Sequence, residues 1–201
     1  MILANTAVKR KAVFLDRDGT IIHHIPYLSN PDQLRLLPNT ADSLKKIRNA
    51  GFLAILVTNQ SGIARGYLTK EMLQLIHERL NNLLKEEKTR LDAIFYCQHH
   101  PDDNCYCRKP KPGMLLMAAE EYNIDLKKSY IIGDDPKDVE AGSLAGCNTV
   151  LISKDANLLL PVSPSFLAER LSSATEWLLA HAKSSLQELQ EREGVSPTGI
   201  R

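Results

Sequence analysis

Asp16 and Asp18 stand two positions apart in Asp16-Arg17-Asp18-Gly19-Thr20, immediately after the apolar run Ala12–Leu15. Two carboxylates at that spacing, at the end of a buried strand, can point into one pocket. A surface turn is the competing reading, since Asp and Gly are common turn residues. A calcium loop of the EF-hand kind is excluded: counting from Asp16, the sixth residue is Ile21 rather than Gly and the twelfth is Tyr27 rather than Glu. Distant groups favour a site over a turn. Thr58 ends a second apolar run and offers a hydroxyl to a phosphate oxygen. Lys109 lies in Arg108-Lys109-Pro110-Lys111-Pro112-Gly113, ahead of a predicted helix, and Asp134 and Asp135 close a further apolar run. Carboxylates, a hydroxyl and a lysine gathered at one edge suit a Mg2+ ion and a phosphate.

A second constellation is Cys97, His99, Cys105 and Cys107, all within eleven positions. Core cysteines beside a surface histidine would be the ordinary alternative. Pro101-Asp102-Asp103-Asn104 between them is polar loop, a poor place for apolar thiols. Three thiolates and an imidazole form a closed tetrahedral Zn2+ set with no open position, so this zinc is expected to be structural. It would hold the loop that carries Arg108 and Lys109 into the active edge. His100 is left out because four ligands are already present. Cys147, in an Ala-Gly-Cys turn, reads as a small packed residue.

These groups need elements to bring them together. Apolar runs predict strands at Ala12–Leu15, Phe52–Val57, Ala93–Tyr96, Tyr130–Ile132 and Thr149–Ile152. Helices are expected at Thr40–Ala50, stopped by Gly51, and from a Thr69 cap to about Lys88. Further helices are expected at Gly113–Tyr122, Asp138–Ala145 and Phe166 to about Leu189, with residues 193–201 frayed. Strands alternating with helices imply an α/β fold with a mostly parallel central sheet and helices on both faces. The polar clusters follow the first, second and fourth strands, at the carboxyl edge where open α/β sheets bind ligands. His77 and His181 read as surface residues, and Lys85-Glu86-Glu87-Lys88 as a solvated helix end.

The chain has 201 residues, 43% of them apolar and 24% charged, enough for one domain with a real core. The expected domain spans residues 1–182, with a helical or frayed tail over 183–201. Net charge of +1 argues against nucleic-acid binding as the main role. No apolar run reaches the ~18 residues of a membrane span. Nothing before Lys9-Arg10-Lys11 reads as a signal peptide, so the expected location is the cytoplasm, as a monomer with neither nucleic-acid nor membrane partners.

Asp16-Arg17-Asp18-Gly19-Thr20, Thr58-Asn59-Gln60, Arg108 to Gly113 and Gly133-Asp134-Asp135-Pro136-Lys137-Asp138 resemble, in order, the four motifs of the haloacid dehalogenase-like (HAD) phosphatases. The resemblance covers roughly Lys11 to Ile152. It implies a Rossmannoid three-layer sandwich, and no gap between motifs would hold a large cap domain of ~100 residues. Ser61-Gly62-Ile63-Ala64-Arg65-Gly66 and the cysteine loop are similar to the D-glycero-D-manno-heptose 1,7-bisphosphate 7-phosphatases. The histidinol-phosphate phosphatases share the cysteine loop, and the short stretch between His99 and Cys105 resembles theirs. Ile22 and Asp135 depart from the heptose pattern, where Asn and Lys are usual.

The implied activity is Mg2+-dependent hydrolysis of a small phosphorylated sugar, with histidinol phosphate as the rival substrate. A zinc-loop interaction module without catalysis is the rival of another class, and the complete set Asp16, Asp18, Thr58, Lys109 and Asp134 argues against it. Asp16 would attack phosphorus and Asp18 would carry the proton. Lys109 and Thr58 would hold phosphoryl oxygens, while Asp16, Asp18 through its backbone carbonyl, Asp134 and Asp135 would surround the Mg2+. Asp138 would orient Lys109 or an outer-shell water, or start a helix. Arg65 and Arg108 match a second phosphate, and His24, Tyr27, Asn59, Gln60 and Ser61 would line the substrate pocket.

Overall fold

Ala12, Val13, Phe14 and Leu15 are all fully buried, so their strand has no solvent-facing side. In the computed structural model, which describes residues 8–155 and 158–192, this strand β1 (Lys11–Leu15) lies in the middle of a six-stranded sheet. The others are β2 (Phe52–Asn59), β3 (Ala93–Cys97), β4 (Tyr130–Gly133), β5 (Asn148–Ile152) and β6 (Phe166–Ala168). Their order is β3-β2-β1-β4-β5-β6 and every pairing is parallel.

Period-two alternation splits the apolar runs between two cores. Val13, Leu15, Ala54, Leu56 and Ile132 face α1 (Thr40–Asn49), α2 (Lys70–Glu86) and α5 (Leu171–Arg192). Ala12, Phe14, Ile55, Val57 and Ile131 face α3 (Gly113–Tyr122) and α4 (Pro136–Ala145). The result is the expected three-layer sandwich. The helix signals act as read: Thr69 Oγ1 accepts from Met72 N at 3.1 Å, and Gly51 follows α1 at φ +81°.

Two sequence readings are corrected. The helix expected from Phe166 is a strand over Phe166–Ala168, and α5 begins only at Leu171. Pairing of Val150, Leu151 and Ile152 with Phe166, Leu167 and Ala168 outweighs the local helical pattern. His77 is not a surface residue: it lies on the buried face of α2 with Leu73, Leu80 and Leu84. His181 is half-buried too, stacked on Trp177 at 4.8 Å with Nδ1 2.8 Å from the Tyr130 hydroxyl. Helix α5 runs through residue 182 to Arg192, and residues 193–201, expected to fray, lie outside the described residues.

The topology reverses at β1: β2 lies on one side and β4 on the other, which opens a crevice at their carboxyl ends. Close packing of α4 keeps β4 in place. A Cβ on Gly142 would lie 2.1 Å from Ile131 Cγ2 and 2.8 Å from Thr149 Cγ2. Gly142→Ala is therefore expected to lower stability by about 1–3 kcal/mol through overpacking. Urea unfolding would measure it, and an unchanged midpoint would show that α4 can move away from the sheet.

Candidate active site

Lys109 is the centre of the crevice. It is 3% exposed, and its ammonium donates to Asp16 Oδ1 at 2.6 Å, Asp138 Oδ1 at 2.5 Å and Val57 O at 2.8 Å. Burial opposes its charge, but Asp138 and then Asp16 outweigh burial and hold its pKa above the ordinary lysine value. The three groups come from separate parts of the chain. Asp16 follows β1, Asp138 lies in the first turn of α4, and Lys109 lies in the loop before α3. Asp138, which the sequence left between two roles, orients Lys109 and also accepts from Asp135 N at 3.2 Å.

Asp16, Asp134 and Asp138 place carboxylate oxygens within 4.8 Å of one another. Burial pushes Asp138 upward, against the pull of Lys109. Asp134 opens on solvent, yet burial of part of its carboxylate, and then the charge of Asp16, push it up to about 6. Lys109 engages Asp16 Oδ1 only, so Oδ2 has no partner among the described residues. Three carboxylates against one ammonium form a donor set that fits a hard divalent cation. The fit extends to Gly19, at φ +80°: a Cβ there would lie 2.0 Å from Asp134 Oδ2. Asp135 lines the same cleft but is not one of the three converging carboxylates; it caps α4 through Lys137 N at 2.9 Å and pairs with Lys137 Nζ at 2.9 Å.

Asp18 is held differently. Arg17, 1% exposed, donates from Nε to Asp18 Oδ2 at 3.0 Å and from Nη2 to Oδ1 at 3.2 Å. Arg17 Nη2 also donates to Gln60 Oε1 at 2.9 Å. Gln60 Nε2 then donates to Asp18 Oδ2 at 3.1 Å and to Thr58 Oγ1 at 2.8 Å. The Thr58 oxygen thus accepts from Gln60, which leaves its proton to donate outward. The sequence reading assigned no role to Arg17. Arg17 also lines the larger cleft beside Asp18, and its place between two pocket-facing aspartates was the available signal.

Two clefts meet at this point. One of about 270 Å3 is lined by Asp16, Asp18, Thr58, Lys109, Asp134 and Arg108. The other, of about 340 Å3, is lined by Asp18, His24, Tyr27, Gln60, Ser61 and Leu68. Asp18, His24 and Asn59 border both. The Asn59 side chain is committed to the Lys109 backbone, donating to its carbonyl at 3.0 Å and accepting from its N–H at 3.1 Å. Arg108 Nη1 is buried with no hydrogen-bond partner. Arg65 is exposed and lines neither cleft. Tyr27 packs on Tyr67 with ring centres 4.4 Å apart.

Beyond the crevice, Cys97, His99, Cys105 and Cys107 converge, with ligand atoms within 4.8 Å of one another. His99 Nδ1 lies 3.5 Å from Cys97 Sγ and 3.3 Å from Cys107 Sγ. Cys105 Sγ lies 3.5 Å from Cys97 Sγ and 3.6 Å from Cys107 Sγ. Burial pushes the Cys107 thiol up to about 12, whereas at Cys105 burial is outweighed by hydrogen bonds from Cys97, Cys107 and the backbone, which hold that thiol below its ordinary value; a bound cation would favour the ionised form of all three thiols. The set fits a tetrahedral metal. His100 serves the backbone instead: its ring accepts from Asp102 N at 3.3 Å at the start of the turn Pro101–Asp103. Cys147 packs against the second core.

Residues 106–174 match a family described as HAD-hydrolase-like. The chain is 35% identical over 175 residues to the D-glycero-beta-D-manno-heptose-1,7-bisphosphate 7-phosphatase of Escherichia coli, covering 84% of this chain and 87% of that protein. The Helicobacter pylori enzyme of the same name is 43% identical over 77% of this chain and 85% of its own. Among solved structures, D,D-heptose 1,7-bisphosphate phosphatase from B. bronchiseptica, complexed with magnesium and phosphate, superposes with a TM-score of 0.78. It is 34% identical, over 85% of this chain and 99% of that one.

The raised Asp134 yields a prediction. Below the ordinary carboxylate value of about 4, Asp134 is protonated whether the chain is folded or not. Between there and about 6 the folded protein keeps a proton the unfolded chain has lost, so stability falls as pH rises. Asp134→Asn removes that cost. In chelator, its melting temperature is expected to exceed wild type at pH 7 and to converge with it near pH 4. A variant less stable than wild type at pH 7 would refute the electrostatic account.

Proposed function

The chain belongs to the D-glycero-D-manno-heptose-1,7-bisphosphate 7-phosphatase family of HAD-like phosphatases, and we propose that it removes the 7-phosphate of D-glycero-D-manno-heptose 1,7-bisphosphate in heptose precursor biosynthesis. The observation that carries the chemistry is Asp16, with one carboxylate oxygen held by Lys109 at 2.6 Å and the other free. The free oxygen attacks phosphorus in line and forms an aspartyl-phosphate. Asp18 protonates the departing sugar oxygen, then takes a proton from the water that hydrolyses the intermediate. Lys109 and the outward hydroxyl of Thr58 hold the phosphoryl oxygens.

Asp16, Asp134 and the Asp18 backbone carbonyl would hold Mg2+. When bound, it supplies positive charge against the repulsion between carboxylate and phosphate. Cys97, His99, Cys105 and Cys107 would hold a structural Zn2+. The buried, unpartnered Arg108 Nη1 supports a second phosphate on the substrate. That favours a bisphosphate over histidinol phosphate, which has only the reacting group. We read the enzyme as a cytoplasmic monomer. Among the described residues no helix is long and apolar enough to cross a membrane.

Three measurements test this. Asp16→Asn is expected to cut turnover by more than about a thousandfold while the protein stays folded, because an amide cannot serve as the nucleophile. Turnover near wild type would end the covalent mechanism. Arg108→Ala is expected to lower kcat/KM for the bisphosphate by about ten- to a hundredfold, the worth of a charge-assisted phosphate contact. Histidinol phosphate and an aryl phosphate would change little. An equal fall on all three would assign Arg108 to the reacting phosphate, and a fall on histidinol phosphate alone would favour that substrate. Cys105→Ser is expected to lower zinc content, from about one per chain, together with the melting temperature. A zinc-free wild type with unchanged melting would remove the structural role.

A further inference from the structure

The guanidinium of Arg17 is committed to the protein. It holds both oxygens of Asp18 and the amide oxygen of Gln60, and its Nη1 faces His77 Nε2 at 3.5 Å. His77 reaches it from the middle of α2 and lines neither cleft. Its ring is seated edge-on against Tyr96, with centres 5.7 Å apart. Burial, then the charge of Arg17, push its pKa down to about 3, so the ring stays neutral and has a lone pair to offer. The chain of contacts runs from α2 through Arg17 to Asp18, and through Gln60 to Thr58.

An acid/base group must keep its oxygen within hydrogen-bond reach of the leaving atom, and a displacement of about 1 Å can cost about a hundredfold. An aspartate side chain otherwise turns about two bonds. Here three hydrogen bonds hold Asp18 where the phosphate cleft and the larger cleft meet. We propose that Arg17, seated by His77, is the positioning residue of the proton-transfer steps, clamping the Asp18 carboxylate between the reacting phosphate and the departing group. The proposal rests on Asp18 being the proton donor.

The test compares a sugar phosphate, whose alcohol leaves poorly without a proton, with an aryl phosphate, whose acidic phenol needs none. Arg17→Lys keeps the charge and loses the fork. It is expected to lower kcat/KM about ten- to a hundredfold on the sugar phosphate and less than about threefold on the aryl phosphate. Since Arg17 is buried, a second pair of variants is needed in case Arg17→Lys folds poorly. His77→Leu removes the acceptor and is expected to show the same selectivity, while His77→Gln restores an acceptor and most of the rate, at matching melting temperatures. Asp18→Asn is measured alongside. If Asp18→Asn falls equally on both substrates, the acid reading of Asp18 fails and takes the clamp with it. If Asp18→Asn is selective but Arg17→Lys and His77→Leu fall equally on both substrates or not at all, the clamp alone is overturned.

Discussion

One ammonium buried among carboxylates sets the terms for the whole site. Lys109 is out of water, which is tolerable only because Asp138, Asp16 and the Val57 carbonyl surround it. The division of labour between the two carboxylates matters. Lys109 bridges Asp138 Oδ1 and one oxygen of Asp16, which leaves Asp16 Oδ2 without a partner among the described residues. With Asp134 also close, the cluster stays net negative, and Asp134 is pushed up to about 6. That excess negative charge is what a divalent cation would satisfy, and it disfavours an anionic substrate until the cation is present.

The remaining structure brings Lys109 to that position, since it belongs to no strand or helix. Pairing of β2 with β3 sets Asn59 opposite Cys97, and Gln60 N donates to Cys97 O at 2.7 Å. Cys97 is also the first member of the thiol–imidazole cluster, whose last member, Cys107, lies two residues before Lys109. Asn59 then brackets the Lys109 backbone from the other side. The loop is fixed at its root by sheet register, along its length by the cluster, and at its tip by an amide. A metal held by that cluster would therefore act on the crevice through position alone.

The sequence is informative where a residue's chemistry and its local period agree. Apolar runs gave five strand positions, and Asp16, Thr58, Lys109 and Asp134 stand where strand ends and motifs place them. It misleads where tertiary contacts overrule local pattern. Phe166–Ala168 has a helical pattern but pairs with β5 as an edge strand. His77 was legible in principle, because it lies on the apolar stripe with Leu73, Leu80 and Leu84. A histidine there has a neutral, buried option that its usual surface preference hides. The commitments of Asn59 and Gln60 were not legible, since an amide near a pocket has no period to show whether it faces substrate or protein. Arg17 was hidden by its neighbours: two acidic residues with obvious uses draw attention from the cation that holds one of them.

Asp18 links the two clefts, and that explains how selectivity can arise without a large cap domain. On one side stand the carboxylates, Lys109 and Arg108; on the other stand Tyr27, Ser61 and Leu68. A phosphate ester crossing the boundary would put its bridging oxygen beside Asp18, which borders both clefts. The walls of the larger cleft are loops after β1 and β2, and both are tied to the core by a buried leucine, Leu28 at 2% exposure and Leu68 at 8%. The approach is close, since a Cβ on Gly62 would lie 2.4 Å from Leu68 Cδ2 and 3.3 Å from Tyr27 Cδ1. Loops anchored this way can present a shaped wall without closing over the substrate, so recognition of the leaving group rests on packing already present in the folded chain.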